Sequence, residues 1–113
     1  MTHELYIPER GDIVWLNFIP QTGHEQRGKR PALVISPRSY NARVGLALFQ
    51  PITHQMKGYP FEVTLPDNLP ISGVILSDQV KSLDWRARNA EFICTLGKHI
   101  YQEAIQKMLL LIK

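Results

Sequence analysis

The stretch Arg30-Pro31-Ala32-Leu33-Val34-Ile35-Ser36 reads as a strand that is apolar at consecutive positions instead of alternating ones. Successive side chains of a strand point to opposite faces, so Ala32, Leu33, Val34 and Ile35 together require cover on both faces. A closed barrel or a partner subunit supplies such cover. Outward from this stretch, Gly11 to Phe18 reads as the preceding strand. Gly45 to Pro51, Phe61 to Leu65, Gly73 to Ser77, Val80 to Leu83 and Glu91 to Thr95 read as those that follow. Eight prolines and most of the seven glycines punctuate the first two-thirds of the chain, which argues against long helices there. One long helical signature remains, Lys98 to Ile112, where Ile100, Tyr101, Ala104, Ile105, Met108, Leu109 and Ile112 form one stripe. A short helix from Arg38 to Arg43 is bounded by Pro37, suited to a first turn, and by Gly45. The expected fold is mainly β with a C-terminal α-helix, a small curved β-barrel or half-barrel.

With 113 residues, 44% of them hydrophobic, the chain fits a single domain spanning 1–113. A charged fraction of 20% and a net charge of +3 suit a phosphate-bearing partner without demanding one. The lone Cys94 excludes an internal disulfide, and neither it nor the four scattered histidines make a metal site, so no cofactor is expected. Phe92-Ile93-Cys94 is apolar, and Cys94 reads as a core residue. The start has neither a basic nor an apolar run of the signal-peptide kind, and no stretch approaches the roughly 18 apolar residues of a membrane helix. A cytoplasmic protein with no membrane partner is expected.

Pro20 to Pro31 is a polar loop between two apolar strands, longer than a hairpin needs. It gathers His24, Glu25, Gln26, Arg27, Lys29 and Arg30, an inventory able to grip a phosphodiester and move protons around it. Arg10-Gly11-Asp12-Ile13-Val14-Trp15, Gly23-His24-Glu25-Gln26 and Arg30-Pro31-Ala32-Leu33-Val34 resemble, in order and spacing, the amino-terminal signature of the MazF/PemK (Kid-like) toxins. Pro51-Ile52-Thr53 looks like that family's proline-x-threonine. Lys57-Gly58-Tyr59-Pro60-Phe61-Glu62-Val63, Gly73-Val74-Ile75-Leu76-Ser77-Asp78-Gln79-Val80-Lys81-Ser82 and Trp85-Arg86-Ala87-Arg88 are similar to its MazF branch. The resemblance runs over about residues 6 to 112, and several blocks in register are far more specific than any one alone.

This resemblance implies an SH3-like barrel of the CcdB/MazF type, assembled as a homodimer. It implies a toxin that cleaves single-stranded RNA at short sequences without a metal, leaving a 2′,3′-cyclic phosphate and a 5′-hydroxyl. It also implies a MazE-like antitoxin whose tail occupies the RNA groove. In such a reaction the substrate's 2′-hydroxyl is the nucleophile, and the protein must move two protons and stabilise a pentacovalent phosphorane. A guanidinium offers paired donors and keeps its charge, so Arg30 is the first candidate for that stabilisation, with the Thr53 hydroxyl beside it. Glu25 and His24 are the proton-transfer candidates, although neighbours on an extended loop point apart and Glu25 has the alternative task of holding Arg30. Gln26, Lys29, Lys57, Ser77, Asp78 and Gln79 are the candidates for RNA contact. In the PemK/Kid branch an arginine stands two positions before the aspartate. Here that position is Leu76, which cannot hold phosphate or give a proton. Trp15 and Trp85 read as core or dimer-interface residues. Two other readings are a CcdB-type gyrase poison without nuclease activity, and a non-catalytic nucleic-acid-binding barrel.

Overall fold

The computed structural model describes residues 5–18 and 28–113. Seven strands and two helices follow one another among these residues. They are β1 (Asp12–Asn17), β2 (Lys29–Val34), α1 (Arg38–Val44), β3 (Leu46–Thr53), β4 (Glu62–Thr64), β5 (Val74–Leu76), β6 (Lys81–Asp84), β7 (Glu91–Thr95) and α2 (Lys98–Leu109). Each strand read from the sequence is found, with ends displaced by a residue or two.

All pairings are antiparallel, and the strands run in the order β4-β5-β3-β2-β1-β7. The long strand β3 is the spine. One of its edges carries β2, while the other carries β6 along Leu46–Phe49 and β5 along Ile52 and Thr53. The sheet is open, which corrects the expected barrel: its end strands β4 and β7 are not paired to each other. What spans the gap is α2. Ala104 shares one apolar cluster with Val63 and Leu65 at the β4 end and with Ile93, Cys94 and Leu96 at the β7 end. The Lys107 ammonium donates to the Pro60 carbonyl at 2.6 Å, holding the helix over β4. Side-chain packing thus does what hydrogen bonds between end strands would do in a closed barrel.

The same arrangement explains the continuous apolar runs. Ile13, Leu33, Ile35 and Ile52 face α2, whereas Val14, Leu16, Ala32, Val34, Ala47 and Phe49 face the opposite way and pack with Trp85. Both faces of the central strands are therefore buried inside one chain, and neither barrel closure nor a second subunit is needed for that burial. Trp85 is buried, its indole donating to the Asn41 carbonyl at 2.9 Å, so it belongs to the core.

Pro37 sits at the N-cap of α1 in an extended conformation, just ahead of the first turn. Gly45 closes α1 in the left-handed region (φ 83°), its N–H donating to the Asn41 carbonyl. The stripe on α2 packs as expected through Ile100, Tyr101, Ala104, Ile105 and Met108. The helix ends at Leu109, however, and Leu110, Leu111 and Ile112 are exposed, so Ile112 does not complete the stripe. Cys94 packs against the α2-side cluster, and partial burial followed by the nearby Asp12 carboxylate pushes its thiol up.

Candidate active site on β2, β3 and the β5 turn

Strands β2 and β3 are matched at Ala32↔Pro51, Leu33↔Gln50 and Val34↔Phe49. The pairing ends there, and Arg30 on β2 and Thr53 on β3 each lie two residues beyond the last matched pair. Strand alternation puts both on one face, the face of Ala32 and Phe49 and not that of α2. Arg30 is exposed and Thr53 half-buried at the end of the spine strand. The Thr53 Oγ1 accepts the Gln55 N–H at 3.1 Å, an ST-type turn that leads the chain out of β3. From the other side, β5 meets Thr53 at Val74. The close approach is possible because residue 73 is glycine: with φ at +125°, a Cβ there would stand 2.3 Å from the Thr53 carbonyl oxygen.

Beside Thr53 opens a cleft of about 120 Å³, walled by Gln55, Lys57 and Tyr59 on the β3–β4 loop, Glu62 at the start of β4, Leu76 at the end of β5 and Gln79 just after it. The β3–β4 loop is shaped by Glu62, whose carboxylate accepts the N–H groups of Lys57 and Gly58, each at 2.9 Å. The Tyr59 hydroxyl donates to Asp78 Oδ1 at 2.9 Å. Partial burial and the Asp78 carboxylate both push that hydroxyl above the ordinary tyrosine range, so at neutral pH it is a donor.

Of the residues singled out in the sequence, Thr53, Lys57 and Gln79 line this cleft, Asp78 borders it through Tyr59, and Arg30 shares the sheet face with Thr53. Ser77 departs from its expected role. It is fully buried, its hydroxyl donates to the Phe61 carbonyl at 2.5 Å, and its own carbonyl accepts from the Gln50 amide at 3.1 Å. It braces the cleft from within and does not face RNA. Lys29 likewise points away: one residue from Arg30, it lies on the other face, paired with Glu91 at 2.5 Å and 5.8 Å from the Trp15 ring. Trp15 itself is half-buried. His24, Glu25 and Gln26 lie outside the described residues. Leu76 supplies an apolar wall at the position where the PemK/Kid branch has arginine.

Gln55, Tyr59, Glu62 and Gly73 shape this site and were not singled out as site residues. The Lys57-Gly58-Tyr59-Pro60-Phe61-Glu62 block was the available signal for three of its neighbours and members. For Gly73 the signal was a glycine at the mouth of a strand. A larger cavity of about 570 Å³ lies elsewhere, between α2 and the Ile35 and Leu48 ends of β2 and β3, on the face opposite Arg30 and Thr53. None of the site residues singled out in the sequence lines it. Among the described residues, no group of three His, Cys, Asp or Glu side chains is placed to hold a metal ion, and no helix is long and apolar enough to cross a membrane.

An open antiparallel sheet with a C-terminal helix is the architecture that this chain shares with a class of bacterial toxins. Residues 9–112 match the PemK-like, MazF-like toxins of type II toxin-antitoxin systems, and the chain belongs to that family. The endoribonuclease toxin MazF of Escherichia coli (strain K12) is 53% identical over 85 residues, which cover 75% of this chain and 76% of that protein. The endoribonuclease toxin ChpB of the same strain is 36% identical over 106 residues, 88% of this chain and 90% of its own length. In three dimensions the chain is similar to crystalline MazF from Deinococcus radiodurans, with TM-score 0.86 and 51% identity over 95% of this chain and 97% of that one. It is also similar to a MazE-MazF crystal structure from the same organism, with TM-score 0.85 and 46% identity over 95% and 96% of the two chains.

Proposed function

We propose that Arg30 and Thr53 form the phosphate-handling centre at which this chain cuts single-stranded RNA. The chain is an endoribonuclease toxin, sequence-specific and metal-independent, and its action on messenger RNA halts translation until an antitoxin neutralises it. The substrate's 2′-oxygen attacks the adjacent phosphorus, the bond from phosphorus to the 5′-oxygen breaks, and the products end in a 2′,3′-cyclic phosphate and a 5′-hydroxyl. A proton leaves the 2′-hydroxyl and another reaches the departing 5′-oxygen. The nucleophile belongs to the substrate, so the reaction calls for charge stabilisation and proton transfer and needs no metal-bound water. Arg30 stabilises the phosphorane through paired N–H donors, and the Thr53 hydroxyl donates to the same phosphate. His24 and Glu25 are the proton-transfer candidates, with Glu25 also suited to holding Arg30. Lys57 contacts the RNA backbone, and Gln26 and Gln79 read base edges.

The observation that carries this reading is that strand alternation puts Arg30 of β2 and Thr53 of β3 on one sheet face, with Thr53 on the wall of a polar cleft. The chain works as one toxin domain over residues 1–113, in the cytoplasm, as a homodimer with a MazE-like antitoxin as partner. The antitoxin follows from the likeness to MazF solved together with MazE. The test is direct. The purified chain incubated with a long single-stranded RNA in EDTA gives discrete cuts whose 5′ fragments carry cyclic phosphate. Arg30→Ala lowers the rate by about a hundredfold or more, the usual cost of a lost oxyanion donor, with an unchanged circular dichroism spectrum. Intact RNA with the wild-type chain, or near-normal cutting by the variant, overturns the assignment.

A further inference from the structure

Tyr59 has no part in the chemistry assigned to Arg30 and Thr53, yet it stands on the cleft beside Thr53 and its hydroxyl reaches across to Asp78. That contact joins two loops, residues 54–61 between β3 and β4 and residues 77–80 between β5 and β6. The two loops are already joined at their base, where buried Ser77 donates both its N–H and its hydroxyl to the Phe61 carbonyl. The Tyr59–Asp78 bond lies nearer the rim. The first loop is shaped by Glu62, whose carboxylate holds the N–H groups of Lys57 and Gly58. Between base and rim, Gln55, Lys57 and Gln79 border a space of about 120 Å³. Two amides and one ammonium around a small cleft with a half-buried aromatic ring are groups suited to hydrogen-bonding and packing against one flat heteroaromatic base.

We propose that Tyr59 is a specificity-determining positioning residue: its clasp on Asp78 sets the width of the cleft in which Gln55, Lys57 and Gln79 meet one nucleobase next to the scissile phosphate. This rests on the reading of Arg30 and Thr53 as the cleavage centre. It gives Asp78 a different task from base-edge contact. With one oxygen accepting from the phenol, its assigned task is to hold Tyr59 in place. Loosening the clasp lets the 54–61 loop relax, so the cleft accepts more than one base and holds each less well.

The experiment maps every cut made in one long transcript by the wild-type chain, Tyr59→Phe, Asp78→Asn, Asp78→Ala and the double variant Tyr59→Phe/Asp78→Ala. Tyr59→Phe keeps the ring and loses the clasp. It should add cut sites differing from the wild-type sequence at one base position, and raise KM for a short cognate RNA about fivefold, more than kcat falls, as expected for one partly exposed charge-assisted bond. Asp78→Asn still accepts from the phenol and should keep the wild-type cut pattern. Asp78→Ala should reproduce the Tyr59→Phe pattern, and the double variant should add nothing to either single change. An unaltered cut pattern and KM in Tyr59→Phe overturn the proposal while leaving the nuclease reading intact. So does a double variant whose losses multiply, since Asp78 then touches RNA by itself. A wild-type chain that leaves RNA whole overturns both readings.

Discussion

Thr53 and Arg30 illustrate how little of a residue's role its type alone conveys. A threonine at a strand end ordinarily serves a turn, and Thr53 does accept the Gln55 N–H. Its further role depends on the proton of the same hydroxyl. Thr53→Val, which keeps the shape and removes that proton, should lower kcat about tenfold to a hundredfold, while Thr53→Ser retains most of it; single-turnover rates on a short RNA decide the matter. Elsewhere, Tyr6 donates to Asp12 Oδ2 at 2.5 Å, and burial first, then the Asp12 carboxylate, raises its ionisation well above the ordinary value near 10. A group whose folded pKa is raised holds its proton more tightly when folded. The stability it contributes is complete below about pH 10 and is lost as pH climbs toward the folded value. Thermal melts between neutral pH and pH 11 should therefore fall with rising pH, and the fall should be shallower in Tyr6→Phe. Equal slopes in the two proteins would contradict this.

At the scale of elements, the seven strands were legible because most centre on a short apolar or alternating run closed by proline, glycine or a polar cluster. α2 was legible from its stripe. Its last turn was not: Leu110, Leu111 and Ile112 continue the apolar pattern, yet nothing within the described chain covers them. Local pattern reports what a residue is able to bury and is silent on whether a surface is there to receive it. The pairing of β3 with three strands was equally hidden, because β6 and β5 divide one edge between them and only long-range register reveals it. Gly73 is the element-scale device on which the site depends. Gly73→Ala would force a Cβ to 2.3 Å from the Thr53 carbonyl in a left-handed backbone. It should cost about 2 kcal/mol or more in denaturant unfolding and depress cleavage through displacement of Thr53. Gly45→Ala, with a similarly positive φ but open space around it, should cost about 1 kcal/mol and leave cleavage per folded molecule intact.

For the whole molecule, the decisive feature is the open sheet wedged by α2. Because both faces of the central strands are buried within one chain, dimer formation is not demanded by the core, and the argument for it moves to the substrate. A cleft of about 120 Å³ beside Thr53 holds about one base, far short of a run of RNA. A second copy would lengthen the binding surface. Specific activity should therefore fall on dilution in step with dissociation measured by sedimentation, and a fully active monomer would sink the dimeric reading.

By itself the sequence determined the number and order of the elements and the chemical kinds of residue available for phosphate work. Strand alternation, helix periodicity and turn chemistry are local and are written in neighbouring residues. It also determined the family, because several blocks in register leave little room for coincidence. Only the tertiary structure decided that the sheet stays open, that Lys29 pairs with Glu91, that Ser77 is a buried brace, and that Tyr59 closes on Asp78. Those outcomes depend on which distant segment meets which face, and that is set by long-range register and by α2 filling the gap between β4 and β7.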